Sequence, residues 1–231
     1  MKRIAVLTGA GVSAESGIRT FRDSNGLWEE HRIEDVATPE AWVRNPELVL
    51  RFYNERFARM QEARPNEAHL ALARLEAGFH VDVVTQNVDD LHERGGSTRV
   101  LHLHGTLRMC RSTGSGEEVY PMPATGLRLG DLCTAGFQLR PHIVWFGEAV
   151  PAIYEAERIV AEAHMLLVIG TSLQVYPAAG LIYATQPGTP IYVVDPGSYH
   201  GGLPANVHHM QGTAAAEVPR LVEKLLLGKL P

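Results

Sequence analysis

The run Ile4-Ala5-Val6-Leu7-Thr8 passes without a spacer into Gly9-Ala10-Gly11. A nearly unbroken apolar run suits a strand buried on both faces of a parallel sheet. Similar runs recur at 81–85, 165–169 and 191–194, closed by Gln86-Asn87, Gly170-Thr171-Ser172 and Asp195-Pro196. Between them lie helical patterns around 46–62, 66–77, 151–163 and 216–227. Alternation of this kind predicts an α/β fold with a doubly wound parallel sheet, whose ligands sit beyond the carboxyl ends of the strands. A chain of 231 residues is enough for one such domain with a small insertion.

Composition narrows the partners. At 45% hydrophobic and 20% charged residues the chain is globular rather than disordered. With 21 basic and 26 acidic residues the net charge is −5, and no basic block is present, which argues against nucleic acid or an anionic membrane as a partner. Apolar stretches such as Met165–Ile169 are too short to span a bilayer, and Thr8-Gly9 interrupts the first run too early for a signal peptide. Cys110 and Cys133 cannot make a disulfide framework. The expected location is the cytoplasm; composition leaves monomer and dimer equally open. Residues 107–141 hold both cysteines and five glycines with little helical periodicity, and read as a small module inserted in the larger domain.

Four places carry candidate chemistry. Glycines behind a strand let backbone N–H groups approach phosphates at a helix terminus. Gly9–Gly17 has that form, although on its own it equally suits an ordinary strand–helix turn, and the lysine of a P-loop is absent. Thr85–His92 sets two amides and two carboxylates at a strand end; alone, it reads as a helix start capped by Asn87 or Asp89. Leu101–Gly105 alternates like a strand, so His102 and His104 are expected on one face. His104 is at the strand end beside a glycine that leaves room for a substrate, as a general base needs. His102, one rung back, reads as an internal hydrogen-bonding residue. Tyr53 and Arg56 share a helix face at i, i+3. Arg56 lacks the helically spaced acid that Arg51 and Arg59 have, so it is solvent-exposed, bonded elsewhere, or set to receive an anion.

Taken together, GAGVSAESGIRTFR at 9–22, GLWE at 26–29, TQNVDDLHERGG at 85–96, HLHG at 102–105, LRPHIVWFGE at 139–148, GTSLQVYPAAG at 170–180 and GTAAAEVPRLV at 212–222 resemble the sirtuins, NAD-dependent protein lysine deacylases. The likeness is greatest to the bacterial CobB-type members and covers nearly all of residues 3–227. It implies one catalytic domain over 1–231, Rossmann-like with helices on both faces, with a helical segment at about 31–75 and a degenerate zinc-type module at about 107–141. It further implies that NAD is held by Gly9, Ala10, Gly11, Ser13, Ala14, Glu15, Phe21, Arg22, Trp28, Gln86, Asn87, Asp89, Gly170, Thr171, Ser172 and Ala214.

The reaction implied is transfer of an acyl group from lysine to ADP-ribose. The acyl oxygen attacks the nicotinamide ribose, nicotinamide leaves, and His104 acts as base on the ribose hydroxyls with Asn87 and Asp89 beside it. The 2′-oxygen then attacks the acyl carbon, and water releases O-acyl-ADP-ribose and free lysine. Acylated proteins would lie as an added strand along Val144, Trp145, Phe146 and Gly147, a mode that tolerates many sequences. Tyr53-x-x-Arg56 looks like the signature of the class III members that accept succinyl- and malonyl-lysine, and a guanidinium fork matches a terminal carboxylate.

Two departures stand out. The family's structural zinc is held by two Cys-x-x-Cys pairs, whereas here Thr113 and Gly136 take the second positions, leaving Cys110 and Cys133 alone. A closed zinc site needs four ligands, so no zinc is expected. Arg19-Thr20 stands where many sirtuins have Pro-Asp. Two other functions use the same cofactor: a non-catalytic NAD or ADP-ribose-binding module, and protein ADP-ribosyltransfer.

Overall fold

The computed structural model describes residues 1–19, 27–28, 31–114, 118–197 and 206–230. The strands are β1 (Arg3–Thr8), β2 (Leu27–Trp28), β3 (His31–Arg32), β4 (His80–Thr85), β5 (Val100–His102), β6 (Gly105–Ser112), β7 (Val119–Pro121), β8 (Leu139–Ile143), β9 (Met165–Ile169), β10 (Ile191–Val194) and β11 (Val207–Met210). Six of them form one sheet in the order β11-β10-β9-β1-β4-β5, with every pairing parallel. This is a doubly wound order, reversing between β1 and β9. The four apolar runs of the sequence are its central strands because only a residue covered from both sides must be apolar at every position; β9 and β10 are buried throughout.

The covering helices are α4 (Glu67–Leu75) and α7 (Ala214–Leu226) on one face, and α6 (Ile153–Ala161) with a 3-10 helix at Ala178–Tyr183 on the other. Leu72, Leu75, Val218 and Leu221 pack on Val6, Val83 and Leu167; Ala156, Val160 and Leu181 pack on Leu7, Val84 and Val168. A second group, α1 (Ile33–Val36), α2 (Pro39–Arg44) and α3 (Pro46–Glu62), precedes α4 in the chain. Both α2 and α3 begin with proline behind a polar cap. Thr38 Oγ1 accepts from the Ala41 N–H at 3.0 Å, and Asn45 Oδ1 accepts from the Leu48 N–H at 3.1 Å.

The inserted module is a three-stranded antiparallel sheet, β7-β6-β8. Leu107, Cys110, Met122 and Ile143 join it to Phe52, Tyr53, Phe57 and Met60 of α3 in one core. The Asn54 side chain accepts from the Leu127 N–H at 2.9 Å and donates to the Leu127 carbonyl at 2.8 Å, so α3 is bonded to the module as a strand would be.

One expectation fails here. Residues 101–105 are not one strand: β5 ends at His102, and Gly105 opens β6 at φ +77°. A Cβ at Gly105 would lie 2.0 Å from the His142 carbonyl oxygen, so the space that Gly105 leaves is taken by β8 and not by a substrate. Among the described residues no helix is long and apolar enough to cross a membrane.

Candidate active site

The site begins where the strand order reverses. The Gly9 N–H donates to the Ile169 carbonyl at 3.0 Å and the Gly11 N–H to the Gly170 carbonyl at 2.8 Å, tying the loop after β1 to the loop after β9. A Cβ at Gly11 would stand 2.7 Å from Gly170 Cα. One at Gly170, at φ +62°, would stand 2.4 Å from the Val12 nitrogen. The missing side chains thus serve first to pack loop on loop. The 3-10 turns Ala10–Val12 and Ala14–Ser16 leave their leading N–H groups outside intrahelical bonding, as helix starts do.

These loops roof one end of a cavity of about 500 Å³, a size within the range of small-molecule and cofactor sites. Gly9, Ala10, Gly11, Ser13, Ala14, Glu15, Gln86, Asn87, Asp89, Gly170, Thr171, Ser172 and Ala214 line it, together with His104. Tyr53, Arg56, Val144, Trp145, Phe146 and Gly147 line the same cavity. Phe21 and Arg22 fall outside the described residues, as does the side chain of Trp28. The cavity also takes in Arg19, Glu148, Tyr176 and Thr213, which the motifs contain but sequence reasoning did not assign, and Ala37 and Met60, for which the sequence offers no signal.

A buried polar chain forms the floor. The Asn87 amide donates to the Gly9 carbonyl at 3.2 Å and to Ser13 Oγ at 3.1 Å, and Ser13 Oγ donates to Asp89 Oδ2 at 3.0 Å. Both amide protons of Asn87 being used, its amide oxygen is what it can offer a ligand. Asp89 Oδ1 accepts from the Leu91 N–H at 3.1 Å, the first N–H of the short helix α5 (Leu91–Arg94), whose N-cap position is Asp90. Burial raises its pKa, and the bonds from Leu91 and Ser13 pull against that rise.

The two histidines reach neighbouring carbonyls although they share no strand. His104 Nδ1 lies 3.0 Å from the Gln86 carbonyl oxygen, and His102 Nδ1 lies 3.0 Å from that of Asn87. A carbonyl only accepts, so both Nδ1 atoms carry protons. His102 Nε2 also meets Glu93 Oε1 at 2.7 Å. Burial opposes charge on His102, but the Glu93 carboxylate prevails and its pKa is raised. His104 has no such carboxylate; burial lowers its pKa, with the Gln86 carbonyl pulling the other way, so its Nε2 is a bare lone pair at neutral pH. The two neighbouring imidazoles are thus shifted in opposite directions, His102 toward its protonated form and His104 toward its neutral one.

In the same cavity lining Tyr53 is 1% and Arg56 7% exposed, so Arg56 is not a solvated surface cation. Its guanidinium carbon sits 4.2 Å from the Phe52 ring centroid. The Val144 N–H bonds the His104 carbonyl at 2.9 Å and the Phe146 N–H bonds the Ala37 carbonyl at 3.0 Å, which fastens the 144–147 segment to both the base and the helical segment.

The Sir2 family model matches residues 9–177. The chain belongs to the Sir2 family. A Helicobacter pylori protein named NAD-dependent protein deacylase is 51% identical over 226 residues, 98% of each chain. A crystal structure of a Sir2 homolog in complex with NAD superposes with a TM-score of 0.86 at 40% identity, covering 98% of this chain and 90% of that one. A structure described as Sir2 with a p53 peptide and NAD+ has a TM-score of 0.75 at 29% identity, covering 97% and 93%. In this Sir2 chain the leading N–H groups of the two 3-10 turns suit a diphosphate, and the Asn87 oxygen with His104 Nε2 suits ribose hydroxyls, so the residues fit NAD.

The residues of the small module do not fit zinc. The Cys110 thiol donates to the Pro121 carbonyl at 3.6 Å, and Cys133 Sγ accepts from Ser112 Oγ at 3.3 Å. Among the described residues no three of His, Cys, Asp and Glu group as a metal site would need.

Proposed function

We propose that this chain is an NAD-dependent protein lysine deacylase that removes acetyl groups and, through Tyr53 and Arg56, succinyl or malonyl groups. One observation carries the reading: His104 and the Tyr53–Arg56 pair line a single cavity together with the glycine turn after β1. When bound, NAD would supply a ribose whose carbon is activated by its cationic nicotinamide; the acyl group would pass to a ribose oxygen with one water consumed, giving nicotinamide, O-acyl-ADP-ribose and free lysine.

The protein's part is positioning and proton transfer. His104 Nε2 takes a proton from a ribose hydroxyl, and the Asn87 amide oxygen orients that hydroxyl by accepting from it. Asp89 acts by anchoring Ser13 and hence Asn87. Arg56 forks onto the carboxylate of an acidic acyl group while Tyr53 donates to it. Val144–Gly147 offers an edge to an extended acylated protein segment, which makes the substrate range broad in sequence. Both cysteines are unpaired thiols, as suits action in the reducing cytoplasm.

The test is mass spectrometry of two peptides, one acetylated and one succinylated at the same lysine, with and without NAD. NAD-dependent loss of both groups is expected. Loss of acetyl alone removes the role of Arg56; loss of neither with NAD still bound makes the chain a binding module; ADP-ribose left on protein makes it a transferase.

A further inference from the structure

Beside the 144–147 segment lies a largely buried ion pair, Arg140 standing outside the cavity lining and Glu148 within it. Arg140 on β8 is 6% exposed, and its Nη2 donates to Glu148 Oε1 at 2.6 Å. The second oxygen, Glu148 Oε2, accepts from the Trp145 main-chain N–H at 2.8 Å, while the Glu148 N–H donates back to the Trp145 carbonyl at 3.0 Å. The Trp145–Glu148 turn is thereby closed twice, with Gly147 at φ +89° inside it. The flat face of the Arg140 guanidinium lies 3.8 Å from the Trp145 ring centroid, and Trp42 meets the same indole at 5.8 Å.

We infer that Arg140 is a positioning residue for the acyl-lysine channel: it sets the turn through Glu148 and the channel wall through the Trp145 indole, without touching substrate. The inference rests on the reading of Val144–Gly147 as the wall against which the acylated segment lies. Its physical ground is that a buried ion pair stabilises a fold no better, on average, than apolar side chains of the same volume. What the pair supplies here is direction. One guanidinium presents an edge to a carboxylate and a face to an indole at once, a combination an ammonium cannot make. Arg140 lies outside the cavity lining, while Trp145 and Glu148 lie in it. Loss of the brace therefore moves the peptide wall and leaves the NAD end, built on β1, β4 and β9, in place.

The experiment is steady-state kinetics of the full chain and of R140M, R140K, E148Q and the double variant, varying acetyl-peptide at saturating NAD and then NAD at saturating peptide. R140M is expected to raise the peptide KM about tenfold and to hold the NAD KM within about twofold, since small misplacements of a positioned substrate are costly. E148Q gives the same split, and the double variant is no worse than R140M by more than about twofold because the two residues act as one unit. If R140M melts below the assay temperature, R140K keeps the charge and a smaller rise, about threefold, is read instead. A folded variant with an unchanged peptide KM, or with both KM values rising together, overturns the inference. A wild-type chain that shows no NAD-dependent deacylation overturns the reading beneath it.

Discussion

His104 donates its Nδ1–H to the Gln86 carbonyl oxygen across 3.0 Å, and this bond decides which nitrogen can act as base. Burial lowers its pKa, so the neutral form persists to more acid pH than for a free imidazole. The acid limb of kcat/KM is therefore expected below the ordinary value of 6.5, activity falling only as pH drops through the lowered pKa. H104A should lose about 10²–10⁴ in kcat while still binding NAD. An acid limb above 6.5, or wild-type turnover in H104A, would contradict the role assigned to the residue.

Arg56 should discriminate between acyl groups by charge. R56M removes the fork but keeps an apolar stem, so kcat/KM for a succinyl peptide is expected to fall by about 10–100-fold, the loss of one charge-assisted contact. Acetyl turnover should stay within about threefold, because no acetyl atom needs the guanidinium. Competition between the two peptides in one tube reads the ratio directly. Equal losses on both would show that Arg56 only supports the helix.

The contact between Gly11 and Gly170 admits no extra atom. In G11A the new Cβ would meet Gly170 Cα at 2.7 Å and its carbonyl oxygen at 2.8 Å, both backbone atoms that cannot swing aside. A cost of about 1–3 kcal/mol in stability is expected, together with weakened NAD binding, measurable by denaturant unfolding and by calorimetric titration. A G11A chain that is as stable and binds NAD as tightly would show that the two loops separate freely.

Beneath the site lies a pair of buried histidines. His69 Nδ1 accepts from the Asn66 N–H at 3.2 Å, and its ring meets that of His92 edge-on at 4.9 Å. His92 Nε2 is bonded to Thr8 Oγ1 at 3.0 Å, which is itself 2.8 Å from Thr85 Oγ1. Burial lowers His69 to about 4 and holds His92 well below its ordinary value. Between pH 6.5 and about 4 the unfolded chain binds a proton that folded His69 refuses, so stability falls as pH falls. The slope for one such proton is about 1.4 kcal/mol per pH unit. H69Q should flatten the pH dependence of unfolding in that window by roughly this slope, whatever its stability at pH 7. An unchanged slope would place the acid sensitivity elsewhere.

Metal removal should do nothing. The module is held by the Leu107–Cys110–Met122–Ile143 core and by the Asn54 clamp on Leu127. Prolonged treatment with a zinc chelator is expected to leave both deacylation and the unfolding midpoint unchanged. About one zinc per chain in untagged protein would refute this, since a structural site uses one ion.

Much of the fold was legible in the chain because its cause is local. Val168 and Val193 are buried from both sides, so their runs had to be apolar throughout, and Pro39 and Pro46 behind Thr38 and Asn45 mark helix starts in any context. The 101–105 stretch misled for a local reason too. Its alternation is real, but Gly105 at φ +77° turns the chain out of the main sheet, and alternation says nothing about a turn that a distant carbonyl, that of His142, makes necessary. The motifs contain most of the residues that line the cavity; they did not say how those residues bond.

By itself, then, the sequence determined the strand runs and their glycine or polar ends, the family, and the want of four cysteines. Only the tertiary structure decided that His102 is shifted toward its protonated form and His104 toward its neutral one, because their shifts turn on Glu93, on the carbonyls of Asn87 and Gln86 and on burial, all brought in by other elements. It alone put Tyr53 and Arg56 of α3 into one cavity with His104 and braced Trp145 with Arg140. Protonation and wall position depend on desolvation and on partners remote in the chain, and these exist only once the sheet, the helices and the module have closed around one another.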